Sequence, residues 1–209
     1  MKLAVFDFDS TLMDGETLEF IAQEVGLQQE IKEVTDKAMC GELDFFESLT
    51  YRVSLLKGIS IKKVDEICNS LPYMEGAFET VRELKKMGYK VVCFSGGFKN
   101  ATLIAKEKLG LDGEFSNIFH TKDSYLTGLV GGEMMFGNSK GIVLKTLQSI
   151  LGISKEDTLV VGDGANDLSM FKFAGTRVAF CAKDVLKKEA NVIINNRNLV
   201  EIIQSVRKM

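Results

Sequence analysis

The sequence predicts an α/β fold, in which a parallel sheet carries helices on both faces and a helical insertion follows the first strand. Two observations favour the sheet: short apolar runs rich in β-branched residues recur along the chain, and amphipathic helical patterns separate most of them. A third observation favours the insertion, because the chain between the first two runs is far longer than one crossover connection requires.

The apolar runs are predicted to form a Rossmann-like parallel sheet. The first run does not alternate between apolar and polar residues, which is typical of a strand buried on both faces. The predicted strands are residues 3–7, 89–95, 158–162, 177–181 and 192–194, with a shorter strand at 117–121 and a small hairpin within 121–138. The helices predicted between or after them are residues 76–86, 99–109, 140–151 and 199–206.

Residues 14–73 are surplus to the crossover and are predicted to form a helical cap. The cap would contain four helices, at residues 16–25, 30–40, 45–56 and 61–70. Residues 1–13 and 74–209 would then form the core. Ligands of parallel sheets bind beyond the carboxyl ends of the strands, so the cap should cover the site.

Composition and charge exclude several classes of function. The net charge is −3 and the pI is about 5.4, which gives no support for nucleic-acid binding. The four cysteines form no CxxC pair and there is one histidine, so no zinc site is expected. The sequence shows neither a signal-peptide pattern nor an apolar stretch that could span a bilayer, so we expect a cytoplasmic protein without a membrane partner. The oligomeric state is left open.

Acidic residues follow two of the predicted strands. Asp7 and Asp9 end the first strand, and Asp163 follows the strand at 158–162. A buried carboxylate is costly unless it is paired or coordinates a metal, and Mg²⁺ prefers oxygen ligands. The sequence therefore predicts a site in which Asp7 and Asp163 share a magnesium ion.

The remaining polar residues at the same edge suit phosphoryl transfer. One of Asp7 and Asp9 can act as nucleophile while the other serves as general acid and base. Ser95 and the amides around Gly96 suit phosphate oxygens, and Lys140 adds positive charge where negative charge develops. Such a site would attract a phosphate dianion, and the resemblance described next implies that the partner is a small phosphomonoester.

Four ordered motifs resemble those of the haloacid dehalogenase superfamily of phosphohydrolases. They are DFDST at 7–11, SGG at 95–97, Lys140 and GDGAND at 162–167, and they span nearly the whole chain. The insertion is similar to the C1-type cap of that superfamily. Glu16 and the RVSLL stretch at 52–56, both in this insertion, resemble the corresponding residues of superfamily members that hydrolyse L-phosphoserine.

The resemblance implies roles for individual residues. Asp7 would be the nucleophile that forms an aspartyl phosphate, and Asp9 would protonate the leaving group and then activate water. Mg²⁺ would be held by Asp7, Asp163 and the backbone carbonyl of Asp9. The phosphate would be bound by Ser95, Gly96, Lys140 and Asn166. In the cap, Glu16 would bind the substrate ammonium, Arg52 would bind its carboxylate, and Phe45 would pack over the site. Asp167 would support Asp163 or Lys140.

Other functions remain open at this stage. The same chemistry could act on another small phosphorylated metabolite, or could transfer the phosphoryl group to an alcohol. A phosphoacceptor receiver domain also uses an aspartate and magnesium at strand ends, but the insertion and Asp9 argue against it. A P-loop hydrolase is disfavoured because the chain has no GxxxxGK[ST] motif.

Overall fold

Seven strands form one sheet at the centre of the computed structural model, which describes residues 1–207. The strands are β1 (Lys2–Phe6), β2 (Tyr89–Phe98), β3 (Gly113–Lys122), β4 (Tyr125–Gly132), β5 (Thr158–Gly162), β6 (Thr176–Phe180) and β7 (Val192–Ile194). Their order is β4-β3-β2-β1-β5-β6-β7, and all neighbours are parallel except β3 and β4. The predicted α/β fold with a largely parallel sheet is confirmed.

The helices lie close to the predicted positions. They are α1 (Thr17–Ala22), α2 (Gln28–Met39), α3 (Phe45–Ser54), α4 (Ile61–Asn69), α5 (Ala77–Lys86), α6 (Lys99–Leu109), α7 (Ser139–Leu151), α8 (Leu168–Phe171), α9 (Asp184–Lys187) and α10 (Val200–Arg207). The last two residues of the predicted core, 208–209, lie outside the described part of the chain. The four-residue helices α8 and α9 were not predicted, because one turn is too short to give a periodic pattern.

Side chains of β1 alternate between two apolar layers. Ala4 and Phe6 point into one layer with α5, α6 and α10, whereas Leu3 and Val5 point into the other with α7, α8 and α9. All four side chains are fully buried, as predicted from the run of consecutive apolar residues. The first layer continues without a break into α1–α4, so the helices of the insertion share their apolar interior with one face of the sheet.

The insertion leaves and rejoins the sheet through two adjacent chain segments. Met13 and Tyr73 form an antiparallel bridge. The amide of Asp14 donates to the carbonyl of Pro72 (2.9 Å), and the amide of Met74 donates to the carbonyl of Leu12 (2.9 Å). The division of the chain at residues 14 and 73 stays a prediction, and these paired segments support it.

The hairpin begins earlier than the sequence pattern indicates. Its first strand is β3, which starts at Gly113, and its second strand, β4, is the edge of the main sheet. The tight turn between them places Asp123 and Ser124 at positive φ. Near this turn the insertion is tied to the sheet edge, because Gly58 donates to the carbonyl of Leu126 (2.9 Å).

Among residues 1–207, no helix combines the length and the apolar character that crossing a bilayer requires.

Substitution of Gly76 by alanine should destabilise the fold more than the same change at Gly152. Both glycines have positive φ, +78° and +63°, so each alanine pays about 1–2 kcal/mol of backbone strain. At Gly76 the added methyl would also lie 3.0 Å from the backbone nitrogen of Val200, whereas nothing lies within 4 Å of the position at Gly152. Urea denaturation of Gly76→Ala and Gly152→Ala checks this; equal losses of unfolding free energy would contradict it.

Candidate active site

A wide helical turn follows β1 and carries the first motif. Residues Phe8–Leu12 form this turn, closed by a hydrogen bond from the amide of Met13 to the carbonyl of Phe8 (2.9 Å). Ser10 has a positive φ of 55°, which bends the backbone sharply. Asp9 is thereby turned back beside Gly97, where a Cβ would lie 2.8 Å from Asp9 Oδ2. Only a glycine leaves room for the carboxylate at this point.

A buried lysine joins two carboxylates from different strand ends. Lys140 Nζ lies 2.7 Å from Asp7 Oδ1 and 2.6 Å from Asp167 Oδ1, and all three side chains are at most 5% exposed. Burial alone would lower the lysine pKa, but the carboxylates of Asp167 and Asp7 outweigh it and hold the pKa above its ordinary value. Lys140 is therefore charged, and it fixes both carboxylates.

Both carboxylate oxygens of Asp167 accept hydrogen bonds from the protein. Its Oδ1 accepts from Lys140, and its Oδ2 accepts from the amides of Asp163 (3.0 Å) and Gly164 (3.2 Å). These bonds fix the loop that follows β5. The sequence interpretation gave Asp167 a supporting role, and this geometry supports that role.

Three buried carboxylates crowd together at this edge of the sheet. One oxygen from each of Asp7, Asp163 and Asp167 lies within 4.8 Å of the others. Burial and the negative charge of Asp167 raise the pKa of Asp7 to about 7, although Lys140 opposes them. Burial and the charge of Asp7 likewise raise the pKa of Asp163. A single lysine leaves negative charge uncompensated here.

This donor set fits a divalent cation with a preference for oxygen. Both oxygens of Asp167 accept hydrogen bonds, whereas Asp7 accepts only through Oδ1, so Asp7 Oδ2 and the carboxylate of Asp163 are free to coordinate. A bound cation would replace their mutual repulsion with attraction. The backbone carbonyl of Asp9 remains a predicted third protein ligand.

Asp9 is held by the first residue of α1. Its Oδ1 accepts from both the amide (2.7 Å) and the hydroxyl (2.6 Å) of Thr17. Burial nevertheless raises the Asp9 pKa, against the effect of these bonds. The occupied Oδ1 leaves Oδ2 as the oxygen that can exchange a proton with a ligand.

A small cavity of about 30 Å³ lies between the sheet edge and the insertion. Eight of the predicted site residues line it: Asp7, Asp9, Glu16, Phe45, Arg52, Gly96, Asp163 and Asn166. Ser95, Lys140 and Asp167 lie buried behind this lining. Ser95 Oγ accepts from the Gly97 amide (2.8 Å), so its own proton is free to be donated.

Two insertion residues close the cavity over the glycine loop. The Phe45 ring lies so near Gly96 that a Cβ there would be 2.5 Å from its Cζ atom. Glu16 accepts from Ser10 Oγ (2.6 Å). Burial and the nearby charge of Asp9 raise the pKa of Glu16 to about 8. Glu16 is therefore an acid that a positively charged ligand would ionise.

Arg52 is buried without a carboxylate partner. It is 4% exposed, and among residues 1–207 no carboxylate oxygen lies within ion-pair distance of its guanidinium. Its Nε donates to the carbonyl of Ser48 (3.2 Å), and its Nη1 donates to Thr35 Oγ1 (2.9 Å). Burial lowers its pKa, opposed by the negative charges of Glu16 and Asp9. A buried, unpaired cation facing a cavity indicates an anionic ligand.

The sequence interpretation missed the residues that orient this lining. Thr17 and Thr35 hold Asp9 and Arg52, and Met39 packs against the loop of the last motif, with its sulfur 2.6 Å from the Cβ position at Gly164. Thr17 directly follows Glu16, which is a weak positional signal. Nothing in the sequence pattern distinguishes Thr35 from an ordinary helical threonine.

Comparison with known proteins now identifies the family. Residues 1–175 match the family model described as haloacid dehalogenase-like hydrolase. The chain belongs to this family. This family assignment confirms the resemblance that the four motifs indicated, and it excludes the alternative of a receiver domain.

Close relatives match over nearly their full length. The chain is 61% identical over 203 residues to the phosphoserine phosphatase of Wolinella succinogenes, covering 97% of this chain and 98% of the relative. It is 50% identical to that of Methanocaldococcus jannaschii, covering 99% and 98%. A solved structure of a phospho-aspartyl intermediate analogue of phosphoserine phosphatase superposes with a TM-score of 0.95, at 50% identity and 98% coverage of both chains. A substrate-bound phosphoserine phosphatase complex gives the same TM-score, with coverage of 98% and 97%.

Magnesium should stabilise the metal-free protein, and Asp163→Asn should reduce that stabilisation. Mg²⁺ at 100 times its Kd would add about 2.7 kcal/mol to the unfolding free energy. Without metal, Asp163→Asn should be at least as stable as the parent, because the amide relieves repulsion from Asp7. Thermal unfolding after chelation, with and without Mg²⁺, measures both effects; equal magnesium-induced shifts in the two proteins would remove Asp163 from the ligand set.

Proposed function

We propose that this hydrolase is a magnesium-dependent phosphatase that converts L-phosphoserine to L-serine and phosphate through an aspartyl phosphate, the last step of serine biosynthesis. One observation carries the proposal: the buried, unpaired Arg52 faces the same cavity as the carboxylates of Asp7 and Asp9. The names of the close relatives support the same substrate. A cytoplasmic location stays a prediction from the sequence.

Asp7 is suited to attack phosphorus. Its Oδ1 is held by Lys140 and by the amide of Phe8 (2.7 Å), so the carboxylate cannot rotate freely. An Asp7 oxygen bonds to phosphorus as the bond to the serine oxygen breaks, which leaves an acyl phosphate on Asp7. Magnesium, when bound by Asp7 and Asp163, would neutralise the phosphate charge that otherwise repels the nucleophile.

Asp9 supplies and removes the proton. In the first step its Oδ2 protonates the departing serine oxygen. In the second step the resulting carboxylate takes a proton from a water molecule, which attacks phosphorus and releases Asp7. Thr17 keeps Oδ1 occupied in both steps, so the proton moves through one defined oxygen.

The phosphate would lie between Asp7 and the glycine loop of the second motif. Gly96 lines the cavity, and the buried Ser95 hydroxyl retains a proton that it can donate. Asn166 also lines the cavity, and its buried Oδ1 has no hydrogen-bond partner within the described chain. An orphaned buried amide oxygen is costly, which supports a bound polar group at this point.

Selectivity would come from the insertion, because phosphate binding alone does not distinguish substrates. Phosphoserine carries an ammonium and a carboxylate, and a closed cavity strips both of water. Glu16 offers an anion to the ammonium, and its raised pKa would fall when that cation binds. Arg52 offers a planar fork to the carboxylate. These two residues favour phosphoserine over phosphometabolites that lack either group.

Asp7→Asn should abolish formation of a phosphoenzyme, because the amide is nearly isosteric but is not a nucleophile. Asp9→Asn should still form it, but single-turnover rates should fall about 10²–10⁴-fold. Rapid quench with ³²P-labelled phosphoserine measures both. Steady-state turnover near the parent rate in a clean preparation of Asp7→Asn would remove Asp7 from the nucleophilic role.

Arg52→Ala and Glu16→Gln should each raise KM strongly for L-phosphoserine but change it little for an aryl phosphate, which carries neither charged group. Hydrogen bonds to charged groups contribute about 1.5–3 kcal/mol, so kcat/KM selectivity should fall roughly 10- to 150-fold for each change. Steady-state kinetics of both variants on both substrates measure this change in selectivity. Equal losses on the two substrates would mean that these residues only hold the insertion together.

A further inference from the structure

The guanidinium of Arg52 is oriented by neutral groups alone. Its Nε donates to the carbonyl of Ser48, one turn earlier in α3 (3.2 Å). Its Nη1 donates to Thr35 Oγ1 on α2 (2.9 Å). The Thr35 hydroxyl in turn donates to the carbonyl of Ile31 (2.9 Å), which commits its proton and leaves a lone pair for Arg52. The hydroxyl is therefore a fixed acceptor.

Neutral partners leave the full positive charge available to a ligand. A carboxylate at the position of Thr35 would hold Arg52 equally well but would neutralise it. The hydrogen bonds found within the described chain use only Nε and Nη1, so Nη2 keeps both of its N–H groups. Since Arg52 lines the cavity, N–H groups that make no bond within the protein are available to an anion that enters it.

We propose that Thr35 is a specificity-determining positioning residue: it presets the Arg52 guanidinium, through a neutral hydrogen bond, to receive the carboxylate of the substrate. Thr35 is 3% exposed and does not line the cavity, so it acts only through Arg52. Presetting matters because a long, flexible arginine side chain loses conformational entropy when it is immobilised. The inference rests on the proposed function, since it assumes a substrate that carries a carboxylate.

A purely structural role for Thr35 can be separated from this one. Thr146 in α7 makes the same kind of bond, from its hydroxyl to the carbonyl of Ile142 one turn earlier (3.0 Å), and it is exposed. Thr146→Val therefore reproduces the loss of the helical hydroxyl bond without touching a charged group. Thr35→Ser keeps the hydroxyl, and Thr35→Val keeps the branched shape but removes the acceptor.

The test compares L-phosphoserine with O-phosphoethanolamine, which keeps the phosphate and the ammonium but lacks the carboxylate. Thr35→Val should raise KM for L-phosphoserine and lower the ratio of kcat/KM values for the two substrates roughly 2- to 10-fold, as a net hydrogen bond of about 0.5–1.5 kcal/mol implies. Thr35→Ser should restore most of the ratio, and Thr146→Val should leave it at the parent value. An unchanged ratio in Thr35→Val would overturn the proposal.

A double-mutant cycle identifies the route of the effect. If Thr35 acts through Arg52, Thr35→Val should leave the ratio unchanged, within about twofold, in an Arg52→Ala background. A further fall of the parental size would mean that Thr35 does not act through Arg52, and would overturn the proposal. If Arg52→Ala alone leaves the ratio unchanged, the proposed carboxylate recognition fails first, so the two failures are distinguishable.

Thermal unfolding shows whether each variant is folded, so that a loss of selectivity is not caused by a loss of structure. Thr35→Val should unfold in one transition, as Thr146→Val should. Should Thr35→Val fail to fold, Thr35→Asn supplies a second test, because its amide oxygen is again a neutral acceptor. That variant should retain selectivity better than Thr35→Asp, whose carboxylate would neutralise Arg52; the reverse order would contradict the proposal.

Discussion

The ion pair of Lys140 with Asp7 and Asp167 is the interaction on which the rest of the site depends. Asp7 follows β1, Lys140 lies in the first turn of α7, and Asp167 follows β5. The lysine therefore connects segments that are far apart in the sequence. Removing one partner of such a buried network costs about 3–5 kcal/mol, because a charge is left without compensation. The same pair positions Asp7 and, through Asp167, the backbone amide of Asp163.

Charged groups of both signs lie buried around the cavity without a full set of ion-pair partners. Asp7, Asp9 and Asp163 crowd near a single lysine, whereas Arg52 has no carboxylate within ion-pair distance among residues 1–207, although the charges of Glu16 and Asp9 act on it. Both arrangements are unfavourable in an isolated protein and favourable around a cation and a dianionic substrate with a carboxylate. Raised pKa values at Asp7 and Glu16 are a consequence of this arrangement.

The insertion contacts the predicted catalytic residues as well as covering the cavity. Thr17, the first residue of α1, holds the carboxylate of Asp9, and Phe45 of α3 lies over Gly96. The insertion is also bonded to the edge strand β4 near residues 58 and 126. The orientation of Asp9, the proposed acid–base group, is therefore linked to the position of the insertion.

The sequence alone determined the parallel sheet, the surplus helices after β1 and the motifs at the strand ends, because these depend on local periodicity and on residue types with few alternative uses. Only the tertiary structure decided that the hairpin joins the main sheet, that Ser95 and Lys140 stand behind the cavity, and that Thr17 and Thr35 orient Asp9 and Arg52. A threonine has the same helical pattern whether its hydroxyl meets water or a buried guanidinium. Which of these it meets depends on how two helices pack, and that is a property of the whole chain.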